Sequence, residues 1–181
     1  MSVLTCVHIN IAEGFHLRYT LLIMHHSFKI GLSFGMMSGI ITTLGLMVGL
    51  HAGTHSQSAV LGGIIIIAVA DAFSDALGIH ISEEAENVHT AGEIWLATFS
   101  TFFSKFIFSS LFIIPVLLFD LKTAVNVSIC AGFALIVIIS SLLAKQQNSS
   151  PWKVIVEHVL VACIVIVLTH NIGNLVSLYF K

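Results

Sequence analysis

Residues Ala59–Ile81 read AVLGGIIIIAVADAFSDALGIHI, an apolar run broken only by Asp71, Ser74, Asp75 and His80. As a helix at 1.5 Å per residue it is about 34 Å long, slightly more than the roughly 30 Å of a bilayer's hydrocarbon core. It is too long for a buried strand, so it reads as a transmembrane helix. Similar runs flank it, and together they predict spans at 30–50, 59–81, 94–119, 124–144 and 154–179. Polar breaks at 51–58, 82–93, 120–123 and 145–153 separate them, the last holding the turn-forming Asn148-Ser149-Ser150-Pro151. Connections this short make successive helices antiparallel neighbours.

Composition agrees. Of 181 residues, 57% are hydrophobic and only 9% charged, with a mean hydropathy of +1.03; a soluble domain carries roughly 25% charge. The expectation is an all-α, polytopic membrane protein, a five-helix bundle forming one domain over 1–181. Residues 1–29 are expected to be a cytoplasmic or interfacial lead-in in which Leu17–Met24 is too short to span. Glu13, His16 and Arg18 interrupt any signal-peptide pattern. Arg18, Lys29, Lys145 and Lys153 fall on one side and Lys122 and Lys181 on the other, which orients the N-terminus to the cytoplasm. A net charge of -2 with scattered Lys and Arg excludes a nucleic-acid surface. Cys6, Cys130 and Cys163 have no disulfide or metal spacing and read as structural. There is no phosphate-binding glycine loop, nucleophile elbow or His-Glu-x-x-His, so no enzyme activity and no resident cofactor are expected.

Two features carry chemistry. Span one places Gly31, Gly35, Ser38, Thr42, Gly45 and Gly49 on one seam at alternating steps of four and three, which admits a close helix neighbour or a second copy of the chain. Span two places Asp71 and Asp75 one turn apart on one face. An ionised carboxylate at mid-membrane costs at least about 2.5 to 3.5 kcal/mol, so the pair needs a cation, protons or donors. One reading is a divalent cation site with proton-linked cation movement. The other is that Lys105 of span three, or Ser and Thr hydroxyls, neutralise the pair structurally.

Ser38 and Gly39 lie at about the depth of the two carboxylates, and Ser38 and Thr42 are candidate supporting oxygens. Met36, Met37 and Met47 read as filler or soft donors. After span two, His80, Glu83, Glu84, Glu86, His89 and Glu93 form an acidic mouth able to concentrate cations, with one Glu-x-x-His pair at Glu86 and His89. Glu157 and His158 fall on the same side. His170, Asn171 and Asn174 read as polar glue between helices.

The stretch Ser38-Gly39-Ile40-Ile41-Thr42-Thr43, with the glycine-rich run to Gly49, resembles the first-helix motif of the vacuolar iron transporter family. Residues Ala70–Ser82 resemble that family's second-helix motif. The resemblance covers most of the chain and is specific in spans one and two. It implies a homodimer packed through span one, and proton-coupled movement of Fe(II) or Mn(II) out of the cytosol along the first two helices. With the segment after span two reduced to Glu83–Glu93, it implies a short member of prokaryotic type in the plasma membrane. The candidate metal residues are Asp71, Asp75, Ser38, Thr42, His80, Glu83, Glu84, Glu86 and His89. Four positions depart from the motifs: Ser38 stands for an Asp, Asp75 for a Met, and Ile79-His80 for an acidic-aromatic pair. Asp75 makes the site harder and shifts preference toward Mn(II). A membrane protein that has lost metal transport, or a carrier of another cation or small solute, are the alternatives.

Overall fold

A computed structural model describes the backbone of residues 3–180 and the side chains of residues 26–180. The chain is all-helical: α1 Val3–Thr54, α2 Gln57–Ala85, α3 Ala91–Ser110, α4 Ile113–Leu118, α5 Leu121–Gln146 and α6 Pro151–Tyr179. Five segments are long and apolar enough to cross a membrane: His26–Thr54, Gln57–Ala85, Ala91–Leu118, Leu121–Gln146 and Pro151–Tyr179. The five expected spans are all present; each begins before its expected start, and the first, second and fourth also run past their expected ends. The backbone of α1 continues through the lead-in; side chains up to residue 25, Cys6 among them, lie outside the described residues.

The overruns have local causes. At the α1–α2 turn only His55 and Ser56 are non-helical, because His55 takes a left-handed φ of 52° and the Ser56 hydroxyl accepts from the Ala59 amide. At the α2–α3 turn Thr90 and Glu93 make a reciprocal capping box, the Thr90 amide donating to Glu93 Oε2 at 2.7 Å. Thr90→Ala is expected to lower stability by about 1 kcal/mol, measured by denaturant unfolding in detergent. Asp120 caps α5 by accepting from the Thr123 amide at 3.1 Å, and the Thr123 side chain and amide hold its carboxyl below the usual carboxylate range.

The third span departs from expectation by being broken into α3 and α4. Pro115 has no amide to offer, and its ring would collide with the carbonyl of Leu111, so the helix opens at Leu111 and Phe112 and restarts. Gln57 spans the gap to α2, its amide nitrogen donating to Val116 O at 2.5 Å.

α1 lies at the centre and packs against α2, α3, α5 and α6. The interior combines apolar residues such as Ile40, Leu44, Met47 and Ile136 with hydroxyls such as Thr43, Thr101 and Ser109, while the outer surface carries Ile66 at 68% exposure, Leu118 at 70% and Ile172 at 58%. The side chain of Lys105 is 0% exposed. Large hydrophobics outside and a charge inside invert the order of a water-soluble protein and suit an apolar solvent. Met36 and Met37 pack against the core around Met47 as filler, and Cys130 and Cys163 are free thiols on the outer surface.

The glycine seam is occupied within the chain. A Cβ on Gly31, Gly35 or Gly39 would meet α3 at Ser100, Ser104 and the Lys105 carbonyl; one on Gly45, Gly49 or Gly53 would meet α6 at Val165, Thr169 and Gly173. The close neighbours that the seam demands are thus helices of the same chain. Ser104 and Ser109 add interhelical hydrogen bonds to the carbonyls of Gly31 and Gly39, both at 3.3 Å.

Candidate functional site: a buried Asp–Lys–Asp triad

Asp71 is the middle residue of α2, fourteen residues from either end, or about 21 Å of rise each way. Lys105 is equally central in the third span. Gly35 and Gly39 let the α3 backbone lie against α1 at this level, so the Lys105 side chain leaves α3 directly between Ser38 and the acidic face of α2. Helix packing by small residues thereby sets the position of the charge.

The lysine makes two hydrogen bonds and a second ion pair there. Nζ donates to Ser38 Oγ at 3.0 Å and to Asp75 Oδ2, and it lies 2.5 Å from Asp71 Oδ2 as an ion pair, without hydrogen-bond alignment. Ser38 is the hinge of the network: its single hydroxyl proton goes to Asp75 Oδ2 at 2.7 Å while its oxygen accepts from the ammonium. The carboxylates are part-exposed, 29% for the Asp71 side chain and 20% for that of Asp75. With all three groups ionised the site carries one net negative charge.

Asp71 opens on a groove of about 600 Å³ between α1 and α2 that runs toward the α1–α2 turn. Its walls, including Leu46, Leu50, Gly63 and Ile67, are apolar apart from Asp71 and Ser74.

Of the residues expected to bind metal, Asp71, Asp75 and Ser38 are brought together; the others are not part of this centre. Thr42 donates its hydroxyl to the Ser38 carbonyl at 2.9 Å, one turn back on its own helix. His80 turns to α3, with Nδ1 2.9 Å from Thr98 Oγ1 and its ring edge-on to Trp95. At the α2–α3 turn, His89 Nε2 lies 3.5 Å from Glu83 and 3.4 Å from Glu86, Glu84 is exposed, and Glu93 is engaged in the cap. Glu83 is itself buried, at 5% exposure.

Among the described residues, no three or more His, Cys, Asp or Glu side chains are disposed to hold a metal ion. His158 is hydrogen-bonded to Ser140 of α5 at 2.9 Å, while Glu157 is exposed. His170 pairs with Asn174 on its own helix at 3.1 Å, and Asn171 with the Val167 carbonyl, so these groups hold α6 to itself rather than to a neighbour.

The chain matches no protein-family model, no curated protein and no solved structure.

Proposed function

We propose that the chain moves a divalent cation across the membrane in exchange for protons, with the Asp71–Lys105–Asp75 triad as the exchange site. The observation that carries this reading is the second carboxylate. A structural pair at mid-membrane needs one acid and one base; two acids around one lysine leave a surplus negative charge that an apolar medium penalises. Charge balance then defines the exchange. One proton on the carboxylate pair makes the lysine-occupied site neutral. A divalent cation between two ionised carboxylates beside an uncharged Lys105 is neutral as well, and reaching it from the first state releases two protons. The ammonium holds the place that the cation takes, and Ser38 supplies a further oxygen.

Hard oxygen donors favour Mn(II) and Fe(II) over softer ions. The resemblance to the vacuolar iron transporter family supports export from the cytosol, with the N-terminus and the Glu83–His89 cluster on the cytoplasmic side. The groove beside Asp71 then faces the opposite compartment.

Uptake of Mn(II), Fe(II), Co(II) and Zn(II) into proteoliposomes under an imposed pH gradient tests the reading. The parent is expected to accumulate Mn(II) or Fe(II) only with the gradient, and Asp71→Asn to reduce uptake at least about tenfold, the effect of losing a charged ligand contact of some 1.4 kcal/mol or more. No uptake of any of the four ions by the parent would overturn it. A second reading is favoured by the complete burial of Lys105 between Ser38 and the two carboxylates: a triad that locks α1, α2 and α3 together in a membrane protein that transports nothing.

A further inference from the structure

Away from the triad, α2 and α3 enclose a second cavity of about 380 Å³ that opens on the outer, apolar surface. Phe73, Phe99, Phe102 and Phe103 form its walls, and among the described residues the polar groups lining it are His80, Thr98 and the indole of Trp95. His80 lies five residues from the end of α2, about 7.5 Å of rise, whereas Phe73 lies a further seven residues, about 10 Å, toward mid-membrane. The cavity is therefore polar at the level where headgroups begin and apolar below it. Trp95 stands edge-on to His80 at the polar level, with ring centroids 4.7 Å apart, where indoles favour the membrane interface.

The hydrogen bonds fix which polar character the cavity presents. Thr98 has one hydroxyl proton, and it goes to the Ile94 carbonyl at 2.7 Å, since a carbonyl can only accept. Toward His80 the same oxygen can only accept, so the 2.9 Å contact requires the proton on Nδ1. In the neutral ring Nε2 is then a bare acceptor, and no described residue bonds to it.

We propose that this cavity binds a membrane-dissolved alcohol with a long apolar or isoprenoid tail, its hydroxyl donating to His80 Nε2 and its tail lying along Phe73, Phe99 and Phe103. A headgroup that only accepts hydrogen bonds, such as an ether or ester, meets a lone pair there and is disfavoured. The volume falls within the range of small-ligand sites.

The chain has two tryptophans, Trp95 and Trp152, so Trp152→Phe leaves Trp95 as the sole tryptophan, excited selectively over the two tyrosines at the red edge of its absorption. That variant, purified whole in detergent, is titrated with farnesol and with farnesyl methyl ether, which share a tail and differ in the donor. The expected result is a saturable change in Trp95 emission with farnesol at a Kd about tenfold below that of the ether, the difference one hydrogen bond makes. His80→Phe keeps an aromatic wall and removes the acceptor, and is expected to equalise the two ligands. Thr98→Val is near-isosteric, keeps the His80 ring and frees its tautomer, and is expected to narrow the preference; it is the readout should His80→Phe fail to fold. Equal affinities in the parent, no saturable change, or a preference that survives both substitutions would overturn the proposal.

Discussion

Lys105→Met is expected to cost about 3 to 5 kcal/mol of stability, the range for removing one member of a buried ion pair, and to be the most damaging single substitution in the bundle. Methionine matches the length of the lysine stem and lacks the charge, so packing is nearly kept while the electrostatics are lost. The two carboxylates one turn apart on α2 then face each other with only Ser38 as a donor. The check is a second variant in which Asp71→Asn and Asp75→Asn accompany Lys105→Met. Removing all three charges together replaces a broken network with neutral groups that can hydrogen-bond to one another, and such replacements recover most or all of the loss. Thermal unfolding in detergent reads both. If the neutral triple variant is as unstable as Lys105→Met alone, the triad is not what the lysine stabilises.

The same pair of variants separates the two readings of the triad. As a structural lock it needs only to be neutral, and a refolded triple variant would do everything the parent does. As an exchange site it needs carboxylates that take up a cation and a lysine that gives up its place. The triple variant would then be stable and inert in the proteoliposome assay.

The spans were legible because a run such as Ala59–Ile81 has one stable form in a bilayer, a helix with every backbone group paired internally. The division of the third span at Pro115 was not anticipated, because the apolar run continues through the proline and the break depends on how far the chain reopens around the missing amide. Asp71, Asp75 and Lys105 could be named from the cost of charge in a membrane, but the pattern along one helix does not say which neighbour faces it. The fourth member of the network, Ser38, was expected at the right depth; Thr42, one turn on, was expected beside it and instead bonds back to its own helix, as hydroxyls in helices do when no better acceptor is near.

His80 misled for a geometric reason. At 100° per residue it lies about 140° around α2 from Asp75, so proximity in sequence placed it on a different face, toward Thr98 and Trp95. The small-residue seam was legible as a demand for close neighbours. Which helices answer it, α3 for one half and α6 for the other, depends on the packing of the whole chain.

Gly35→Ala is expected to be the next most damaging change, and it tests whether helix packing positions the triad. A methyl at Gly35 would sit 2.0 Å from Ser104 Oγ and 2.5 Å from the Thr101 carbonyl. The serine can rotate; the carbonyl belongs to the α3 backbone and moves only if the helix does. Overpacking of this kind costs about 1 to 3 kcal/mol, and here it also draws Lys105, whose amide is 3.0 Å from the same methyl, away from Ser38. Gly173→Ala provides the matched comparison at the other half of the seam, its methyl 2.3 Å from the Gly49 carbonyl and remote from the charges. Gly78→Ala provides the open one, with nothing within 4 Å. In unfolding experiments Gly35→Ala and Gly173→Ala should both fall below the parent, while Gly78→Ala stays level or gains a few tenths of a kcal/mol from helix propensity. The two damaging variants should part company in proteoliposomes: at equal folded protein, Gly35→Ala should lose cation uptake and Gly173→Ala should keep most of it. Equal uptake by both would mean that Lys105 holds its place through its ion pairs alone, whatever the spacing of α1 and α3.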